Sequence, residues 1–292
     1  MLNHKLEEVG KMFAGVLTIQ SALSRACRWY AKEPALMTND RIVSYGDFEG
    51  LSRRVASGYR ELGVTKGDRI AFLCEPSIDH ALAFYAAHWL GAVTVNLHYR
   101  ETLDHQTALI ERLEPTVLVY TADKESLIVS LRQTFPNLIL ICLGNSATAQ
   151  YSLQMLLNDF NPYEEKPDIL EDDPAIIQLS SGSTGVPKAL VHTQASVLET
   201  WSGGIYMWSG IESQDRFLCA FSPSFSVWLV HAGSFLNHGA TVIFQSRWDP
   251  IEFLQTVEEK GITCTALTPT QWRTVLDAQP EKYDLSSLRM VA

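Results

Sequence analysis

Short apolar runs alternate with helical patterns along most of the chain. Apolar residues recur three or four positions apart over Tyr45–Leu62, Ser77–Leu90, Leu103–Leu113, Lys124–Thr134, Gln194–Trp208, Pro250–Lys260 and Thr270–Asp277. Between them lie runs with the length of buried strands: Arg69–Cys74, Ala92–Asn96, Thr116–Tyr120, Leu138–Leu143, Ala175–Leu179, Ala189–His192, Arg216–Phe221, Ala240–Phe244 and Thr263–Leu267. Because apolar strands separated by helices are typical of sheets covered on both faces, the pattern predicts an α/β fold with mostly parallel strands.

Residues at the ends of these segments support the boundaries. Ser44 is placed to cap the helix that begins at Tyr45, and glycines at 63, 91 and 239 follow helical segments, where a left-handed backbone is useful. The stretch Gly144–Pro174 is rich in acidic residues and proline, and it predicts a solvated connector around a short helix at Leu153–Leu157.

Composition narrows the class of protein. The chain has 292 residues, of which 46% are hydrophobic and 19% charged, as is typical of a globular protein with a full core. Its net charge is −10, and no block rich in Lys or Arg occurs. Nucleic acid and anionic membranes are disfavoured as partners because both require clustered positive charge. ATP stays compatible, since backbone N–H groups can hold phosphates in an acidic protein.

The cysteines carry no metal or redox motif. The five of them are well separated in the sequence: Cys27, Cys74, Cys142, Cys219 and Cys264. Their spacing excludes a CxxC motif and argues against a disulfide framework, and four lie in apolar runs that favour core packing. We therefore expect a reduced, cytoplasmic setting, with no metal site, no signal peptide and no membrane span.

One segment carries the strongest chemical signal. The strand Ala175–Leu179 runs into a series of small residues that ends in a lysine: Ser180, Ser181, Gly182, Ser183, Thr184, Gly185, Val186, Pro187, Lys188. The glycines allow backbone conformations that direct several N–H groups to one point, and the hydroxyls and the ammonium group suit phosphate oxygens. The segment predicts a phosphate-binding loop between two strands.

Two other interpretations of this loop exist. A P-loop needs Gly before the lysine and Ser or Thr after it, whereas Pro187 and Ala189 flank Lys188 here, so that motif is disfavoured. A plain hairpin without a ligand stays open, although the lysine and the long run of hydroxyls are unusual for a turn.

The loop resembles the signature of a known group of enzymes. Ser180–Lys188 is similar to T-S-G-[ST]-T-G-x-P-K-G of the adenylate-forming superfamily, which includes acyl-CoA and aryl-CoA synthetases, peptide-synthetase adenylation domains and luciferases. The departures are Ser180 for the first threonine and Ala189 for the last glycine. Other segments resemble family elements in the same order along the chain: Val43–Phe48, Leu62–Ala71, Trp89–Leu97 and Asp284–Val291.

The resemblance implies a reaction, its cosubstrates and its binding residues. In the family a carboxylate attacks the α-phosphate of ATP, giving an acyl-adenylate and pyrophosphate, and a thiol, commonly that of coenzyme A, then displaces AMP. ATP, Mg²⁺, coenzyme A and a small carboxylic acid are thus implied. The implied phosphate-binding residues are Ser180, Ser181, Gly182, Ser183, Thr184, Gly185 and Lys188, the glycines shaping the loop. Catalysis would depend on positioning and charge stabilisation.

A second segment resembles the wall of the family's acyl pocket. It comprises Phe225, Ser226, Val227 and Trp228, and a histidine is frequent in the family where Ser226 falls. A loop that leads into a packed helix explains the segment equally well. Trp201, Tyr206 and Trp208 are further candidates for an apolar acyl site, although aromatic residues in such patterns are more often core. Of the histidines, His192 is a minor ligand candidate, and His231 and His238 are expected to pack or face solvent.

By resemblance, the chain covers two stacked, mostly parallel sheets flanked by helices, the N-terminal subdomains of the family fold. Residues 1–188 would form the first subdomain and residues 189–292 the second, which would be incomplete. The family's adenine site, magnesium-binding acid, ribose-binding aspartate and C-terminal catalytic lysine would lie further on. A truncated sheet would expose an edge, which predicts self-association into a homo-oligomer.

Two functions of different classes follow. The first is an AMP-forming acyl-CoA synthetase-like ligase whose isolated fragment lacks full activity. The second is a truncated, noncatalytic protein that binds a nucleotide or acyl group and acts by association. Within the first, an acyl-CoA ligase is preferred over a peptide-synthetase adenylation domain, because no carrier-protein segment is visible in the sequence.

Overall fold

Two sheets organise the chain. The computed structural model describes residues 17–165, 168–180, 187–207 and 210–292. The seven-stranded sheet has the order β7-β6-β5-β3-β4-β8-β9. Its strands are β3 (Arg69–Leu73), β4 (Val93–Asn96), β5 (Val117–Tyr120), β6 (Ile139–Cys142), β7 (Tyr151–Ser152), β8 (Pro174–Ser180) and β9 (Lys188–Thr193). All neighbouring strands in it are parallel except β8 and β9.

The second sheet joins the two ends of the described chain. It is six-stranded, with the order β13-β12-β10-β11-β1-β2. Its strands are β1 (Pro34–Met37), β2 (Ile42–Ser44), β10 (Arg216–Cys219), β11 (Thr241–Phe244), β12 (Cys264–Thr265) and β13 (Met290–Val291). They are parallel except for the hairpin of β1 and β2.

Ten α-helices occur in the described ranges. They are α1 (Ile19–Trp29), α2 (Tyr45–Glu61), α3 (Ile78–Trp89), α4 (Leu103–Leu113), α5 (Glu125–Thr134), α6 (Leu153–Asp159), α7 (Gln194–Met207), α8 (Ser226–Asn237), α9 (Pro250–Lys260) and α10 (Pro269–Asp277). Short 3₁₀ turns lie at Ala122–Lys124 and Pro280–Lys282. No helix in these ranges is long and apolar enough to cross a membrane.

Side-chain caps explain where many of the helices begin. The Ser44 hydroxyl accepts a hydrogen bond from the backbone N–H of Asp47, as the sequence predicted for α2. Ser77, Thr102 and Asp249 cap α3, α4 and α9 in the same way. Each cap satisfies an N–H group that the helix itself leaves unpaired, and replacing such a cap by alanine typically costs about 1 kcal/mol.

The predicted α/β class is confirmed, and the predicted strands and helices occur close to their expected bounds. The sequence pattern missed α1, β1, β2 and the short strand β7 within the predicted connector. β1 pairs in parallel with β11, so that Leu36 lies beside Val242 from the far end of the chain. A strand of four residues that depends on such a distant partner has little local signal.

Sheet membership does not coincide with the predicted division at residue 188. β1 and β2, from the first predicted subdomain, lie in the six-stranded sheet, and β9 completes the seven-stranded sheet. The division itself stays a prediction. What the strands show is that both sheets draw on residues from either side of that boundary.

The largest core lies between the two sheets. It combines Phe72 and Val117 from the seven-stranded sheet with Phe217 and Val242 from the six-stranded sheet. All residues of α3, which lies between these sheets, are buried except Asp79 in its first turn. A helix that is buried on nearly all sides belongs in the interior. Two smaller cores cover the outer faces, one under α4 and α5 and the other under α9 and α10. The result is five alternating layers of helix and sheet.

An ion pair ties the segment before β13 to the six-stranded sheet. The Asp215 side chain is 2% exposed, and its carboxylate accepts hydrogen bonds from Arg289 Nε at 2.8 Å and Thr263 Oγ1 at 2.7 Å. Burial alone would raise the pKa of Asp215, but these bonds and the N–H of Glu212 outweigh it and hold that pKa below its usual range.

The outer strands of both sheets expose apolar residues. Leu190 and Val191 on β9 are 49% and 59% exposed, and Val291 on β13 is 52% exposed. Homo-oligomer formation through such edges stays a prediction. The five cysteines are free and buried, and burial raises the pKa of Cys27 and Cys219 to about 12, so these thiols stay protonated in the core.

Candidate functional site

The two ends of the predicted phosphate loop are fixed by a strand pair. Ser180 ends β8 and Lys188 begins β9, and the two are direct partners in the antiparallel ladder. Ser181, Gly182, Ser183, Thr184 and Gly185 lie outside the described residues. The ladder continues through Gln178↔Leu190 and Ile176↔His192, so the loop spans a closed hairpin. The Lys188 side chain is exposed at the loop root, the point where the loop meets β8 and β9.

An arginine that the sequence did not indicate supports the loop root. Nη1 of Arg112, from the last turn of α4, donates a hydrogen bond of 2.9 Å to the carbonyl oxygen of Pro187. Nothing in the sequence links residues that are so far apart, because Arg112 occupies an ordinary position for a cation at a helix end. The contact ties the start of β9, at the edge of the seven-stranded sheet, to the end of α4.

The hairpin opens at the carboxyl edge of the parallel strands, where open α/β sheets bind ligands. The same edge carries Glu75 after β3, Tyr99 after β4 and Asp123 after β5. The Tyr99 hydroxyl donates to the Asp123 carboxylate, and Lys124 Nζ lies 3.5 Å from the centre of the Tyr99 ring. Burial raises the pKa of Glu75, although Arg247 lies 3.6 Å from its carboxylate and acts in the opposite sense.

Strand alternation places several polar residues on one face of the hairpin. Gln178 and Ser180 are two positions apart on β8, and their partner strand presents His192 and Lys188 on the same face. Gln178 Nε2 donates to the carbonyl oxygen of Ser224, just before α8, at 2.9 Å. This bond connects the seven-stranded sheet to the helix that carries the predicted acyl segment.

A cavity of about 70 Å³ lies on that face, between the hairpin and helices α7 and α8. Its floor is Gln178 and His192, one wall is Val197, Thr200 and Trp201 of α7, and the other wall is Ser226, Leu229 and Val230 of α8. Each wall consists of residues three and four positions apart, which is one face of a helix. The cavity therefore depends on the packing of α7 against α8 and on the β8–β9 hairpin.

The wall residue Trp201 has a fixed orientation. Its indole Nε1 donates a hydrogen bond of 3.0 Å to the carbonyl oxygen of Leu229, and the side chain is 2% exposed. The ring lies against Gly233, where a Cβ atom would approach Trp201 Nε1 to 2.1 Å. Only glycine allows α8 to come this close to the indole.

The four residues of the predicted acyl segment lie in different surroundings. Ser226 is exposed and lines the cavity, whereas Phe225 is 48% exposed with its ring edge-on to that of His98, at a centroid distance of 5.3 Å. Val227 packs against the main core, and Trp228 is 1% exposed. The assignment of these four residues to an acyl pocket stays a prediction, as does that of the phosphate loop. The other aromatic candidates, Trp208 and the Tyr206 side chain, lie outside what the structure describes.

Most of the buried histidines serve packing rather than acid–base chemistry. Burial lowers the pKa of His80 to about 4 and that of His88 to about 3, so both imidazoles are neutral at neutral pH. Burial likewise lowers the pKa of His231 to about 4, and its ring lies 5.7 Å from that of Phe217. Among the described residues, no group of three or more His, Cys, Asp or Glu side chains could hold a metal ion.

Known proteins have similar sequences. 4-Coumarate–CoA ligase 3 of Arabidopsis thaliana is 29% identical over 262 residues, covering 85% of this chain and 45% of the relative. 3-Hydroxybenzoate–CoA ligase of Aromatoleum sp. (strain CIB) is 28% identical over 257 residues, covering 84% of this chain and 47% of the relative. The chain thus spans about half the length of the curated relatives it matches.

Solved structures show the same fold. Anthranilate CoA ligase AuaEII, solved in complex with anthranoyl-AMP, superimposes with a TM-score of 0.88 at 21% identity, covering 94% of this chain and 54% of that one. The model of the family described as AMP-binding enzyme matches residues 23–292. The resemblance drawn from the loop sequence is confirmed: the chain belongs to the AMP-binding enzyme family.

Proposed function

We propose that the chain provides the ATP phosphate loop and the acyl cavity of an AMP-forming carboxylate–CoA ligase. In the proposed reaction a carboxylate oxygen attacks the α-phosphorus of ATP and pyrophosphate leaves. The thiol of coenzyme A then attacks the acyl carbon and AMP leaves. The observation that carries this proposal is the family match, together with a closed hairpin that presents Ser180 and Lys188 at the carboxyl edge of the sheet.

The proposed role of the loop is to hold the β- and γ-phosphates. Lys188 is exposed at the hairpin root, where its ammonium group can reach an anion without first breaking a buried ion pair. Ser180 is its partner across the ladder. Ser181, Gly182, Ser183, Thr184 and Gly185 would supply the hydroxyl and backbone N–H donors between them. The loop would orient ATP for in-line attack and stabilise the charge of the departing pyrophosphate.

Magnesium is an expected companion of ATP, but the described residues offer no carboxylate cluster for it. When bound, the ion would neutralise phosphate charge. None of the chain's described residues is assigned to it. A protein that binds the nucleotide without turnover is the alternative, and the same binding experiment bears on both.

The test is calorimetric titration of MgATP into the folded chain and into Lys188→Ala. We expect roughly tenfold weaker binding in the variant, because a hydrogen bond to a charged group contributes about 1.5–3 kcal/mol. Lys282→Ala is the matched control, since Lys282 is exposed in a 3₁₀ turn beyond α10. Equal affinity in wild type and Lys188→Ala would remove the phosphate-loop assignment.

Turnover is measured separately. Pyrophosphate release and acyl-CoA formation by the chain, with a panel of acids, would identify a ligase. MgATP binding that depends on Lys188 but yields no pyrophosphate would favour the noncatalytic alternative for this chain.

A further inference from the structure

The cavity between the β8–β9 hairpin and helices α7 and α8 is small, and both polar and apolar side chains line it. Gln178 and His192 form the side made by the hairpin, on the strand face that also carries Ser180 and Lys188. The helix side supplies hydrocarbon from Val197, Leu229 and Val230 together with the Trp201 indole, and the Thr200 and Ser226 side chains lie at the same walls. Such a compartment suits a small ligand whose polar end meets Gln178 and His192 and whose apolar end lies among the hydrocarbon of the two helices.

The size of the cavity limits that apolar end. Its volume is about 70 Å³. An apolar protein cavity of about 150 Å³ accommodates a benzene ring, so this one has roughly half the space that a phenyl group requires. A short alkyl group fits the same space.

The wall that sets this limit is rigid. Trp201 is held by its hydrogen bond to the Leu229 carbonyl and by the backbone of Gly233 behind it. To enlarge the cavity, the indole would have to leave a buried hydrogen bond unmade, which costs the desolvation of that group. The polar neighbours are also occupied, because Thr200 Oγ1 donates to the Ser196 carbonyl and Gln178 Nε2 to the Ser224 carbonyl.

We propose that this cavity selects a short aliphatic carboxylic acid and excludes an aryl acid, with Trp201 as the residue that determines the size limit. The inference rests on the proposed function, because it names the substrate class of that site. It sets this chain apart from the relatives named for 4-coumarate and 3-hydroxybenzoate, whose acids carry a phenyl ring.

The test is saturation-transfer NMR on the purified chain with an equimolar mixture of butyrate and benzoate and no nucleotide. We expect saturation of butyrate to exceed that of benzoate roughly tenfold, the scale on which a hydrophobic pocket discriminates by size. Equal saturation, a preference for benzoate, or no saturation of either acid would overturn the proposal.

Variants locate the binding. Thr200→Phe fills the cavity from an exposed helix position, so the fold is retained while the butyrate signal is lost. Trp201→Leu opens the cavity and should raise benzoate relative to butyrate. Trp29→Leu is the matched control, because Trp29 is 69% exposed on α1 and lies outside the cavity. Butyrate saturation that survives Thr200→Phe would place the acid elsewhere and refute the assignment.

The acid-binding and nucleotide-binding experiments test separate claims, so that one claim can be refuted while the other stands. MgATP binding that depends on Lys188, together with indifference to acid size, would leave the proposed function standing and remove the size limit. Selective butyrate binding without MgATP binding would retain the cavity as an acid site and remove the phosphate loop.

Discussion

Helix α8 has two faces with different surroundings. One face, at positions 228, 231, 232 and 235, enters the main core, where the Trp228 ring lies 5.0 Å from His80 and 5.3 Å from Phe84. The other face, at positions 226, 229, 230 and 233, lines the cavity and contacts Trp201. Two such sets of positions lie on opposite sides of a helix.

The difference shows how a rigid site is built here. The core face fixes α8 between the two sheets, since Phe235 also stacks on Phe217 of β10 at 4.5 Å. The cavity face is therefore positioned by contacts that no ligand touches. A site on a packed helix keeps its shape without bound ligand. A mutation at a buried core position such as Trp228 should lower stability, whereas a mutation at the exposed cavity position Ser226 should leave stability nearly unchanged.

The largest expected effect comes from Trp228→Ala. The indole is almost fully buried, so its removal leaves a cavity between α3 and α8, and we expect the free energy of unfolding to fall by about 3–5 kcal/mol. Urea denaturation followed by circular dichroism measures this loss. Ser226→Ala, two residues away on the exposed side, should change the free energy of unfolding by less than about 0.5 kcal/mol. Similar losses for the two variants would contradict the division of α8 into two faces.

A smaller effect is expected where α8 meets α7. Gly233→Ala introduces a Cβ atom 2.1 Å from Trp201 Nε1, so we expect a loss of about 1–3 kcal/mol from overpacking. Gly203→Ala is the matched control on α7, because a methyl group there would meet nothing within 4 Å and alanine favours a helix by about 0.8–1 kcal/mol over glycine. The two Gly→Ala changes should thus shift the thermal midpoint in opposite directions. A stabilised Gly233→Ala would mean that α7 and α8 are further apart than the structure shows.

Much of this architecture follows from local sequence patterns, and the site follows only in part. The helix that Ser44 caps and the strands on both sides of Ser180–Lys188 are predictable, because caps and continuous apolar runs are local signals. The brace from Arg112 and the pairing of β1 with β11 are not, since they join distant parts of the chain. Gly233 is an intermediate case: a glycine within a helical pattern signals a close approach, but nothing identifies Trp201 as its neighbour.

Helix geometry also explains why the four residues of the predicted acyl segment have different surroundings. Ser226, Val227 and Trp228 are consecutive helical positions that point in different directions around the axis of α8, and Phe225 precedes the helix with an extended backbone. A family resemblance aligns residues along the chain, but it does not show in which direction each side chain points. The cavity also depends on Thr200 and Trp201, which lie on a different helix, outside the segment that resembles the family's acyl pocket. Trp201 was a candidate from the sequence, whereas Thr200 was not.

The smallest expected effect is a change in how stability depends on pH, and it involves the core that positions α8. His88 is 1% exposed beside Phe84, at a ring distance of 5.1 Å, and burial lowers its pKa from 6.5 to about 3. Below pH 6.5 the unfolded chain therefore binds a proton at this position that the folded chain does not bind. Stability from neutral His88 is complete above pH 6.5 and declines as the pH falls towards 3.

His88→Leu removes this proton uptake and also removes Nδ1 of His88, a buried nitrogen without a hydrogen-bond partner among the described residues. We expect little net change in stability at about pH 7.5, because the gain from replacing the unpaired Nδ1 by hydrocarbon is offset by loss of the 3.5 Å contact between His88 Nε2 and the buried Thr94 hydroxyl. Between about pH 6.5 and 5, the urea midpoint should fall less steeply for His88→Leu than for the wild type. Gly203→Ala, which changes no titratable group, is the control and should keep the wild-type slope. An unchanged slope in His88→Leu would show that the imidazole is protonated in the fold, which would place water or a charged partner inside the layer that positions α8.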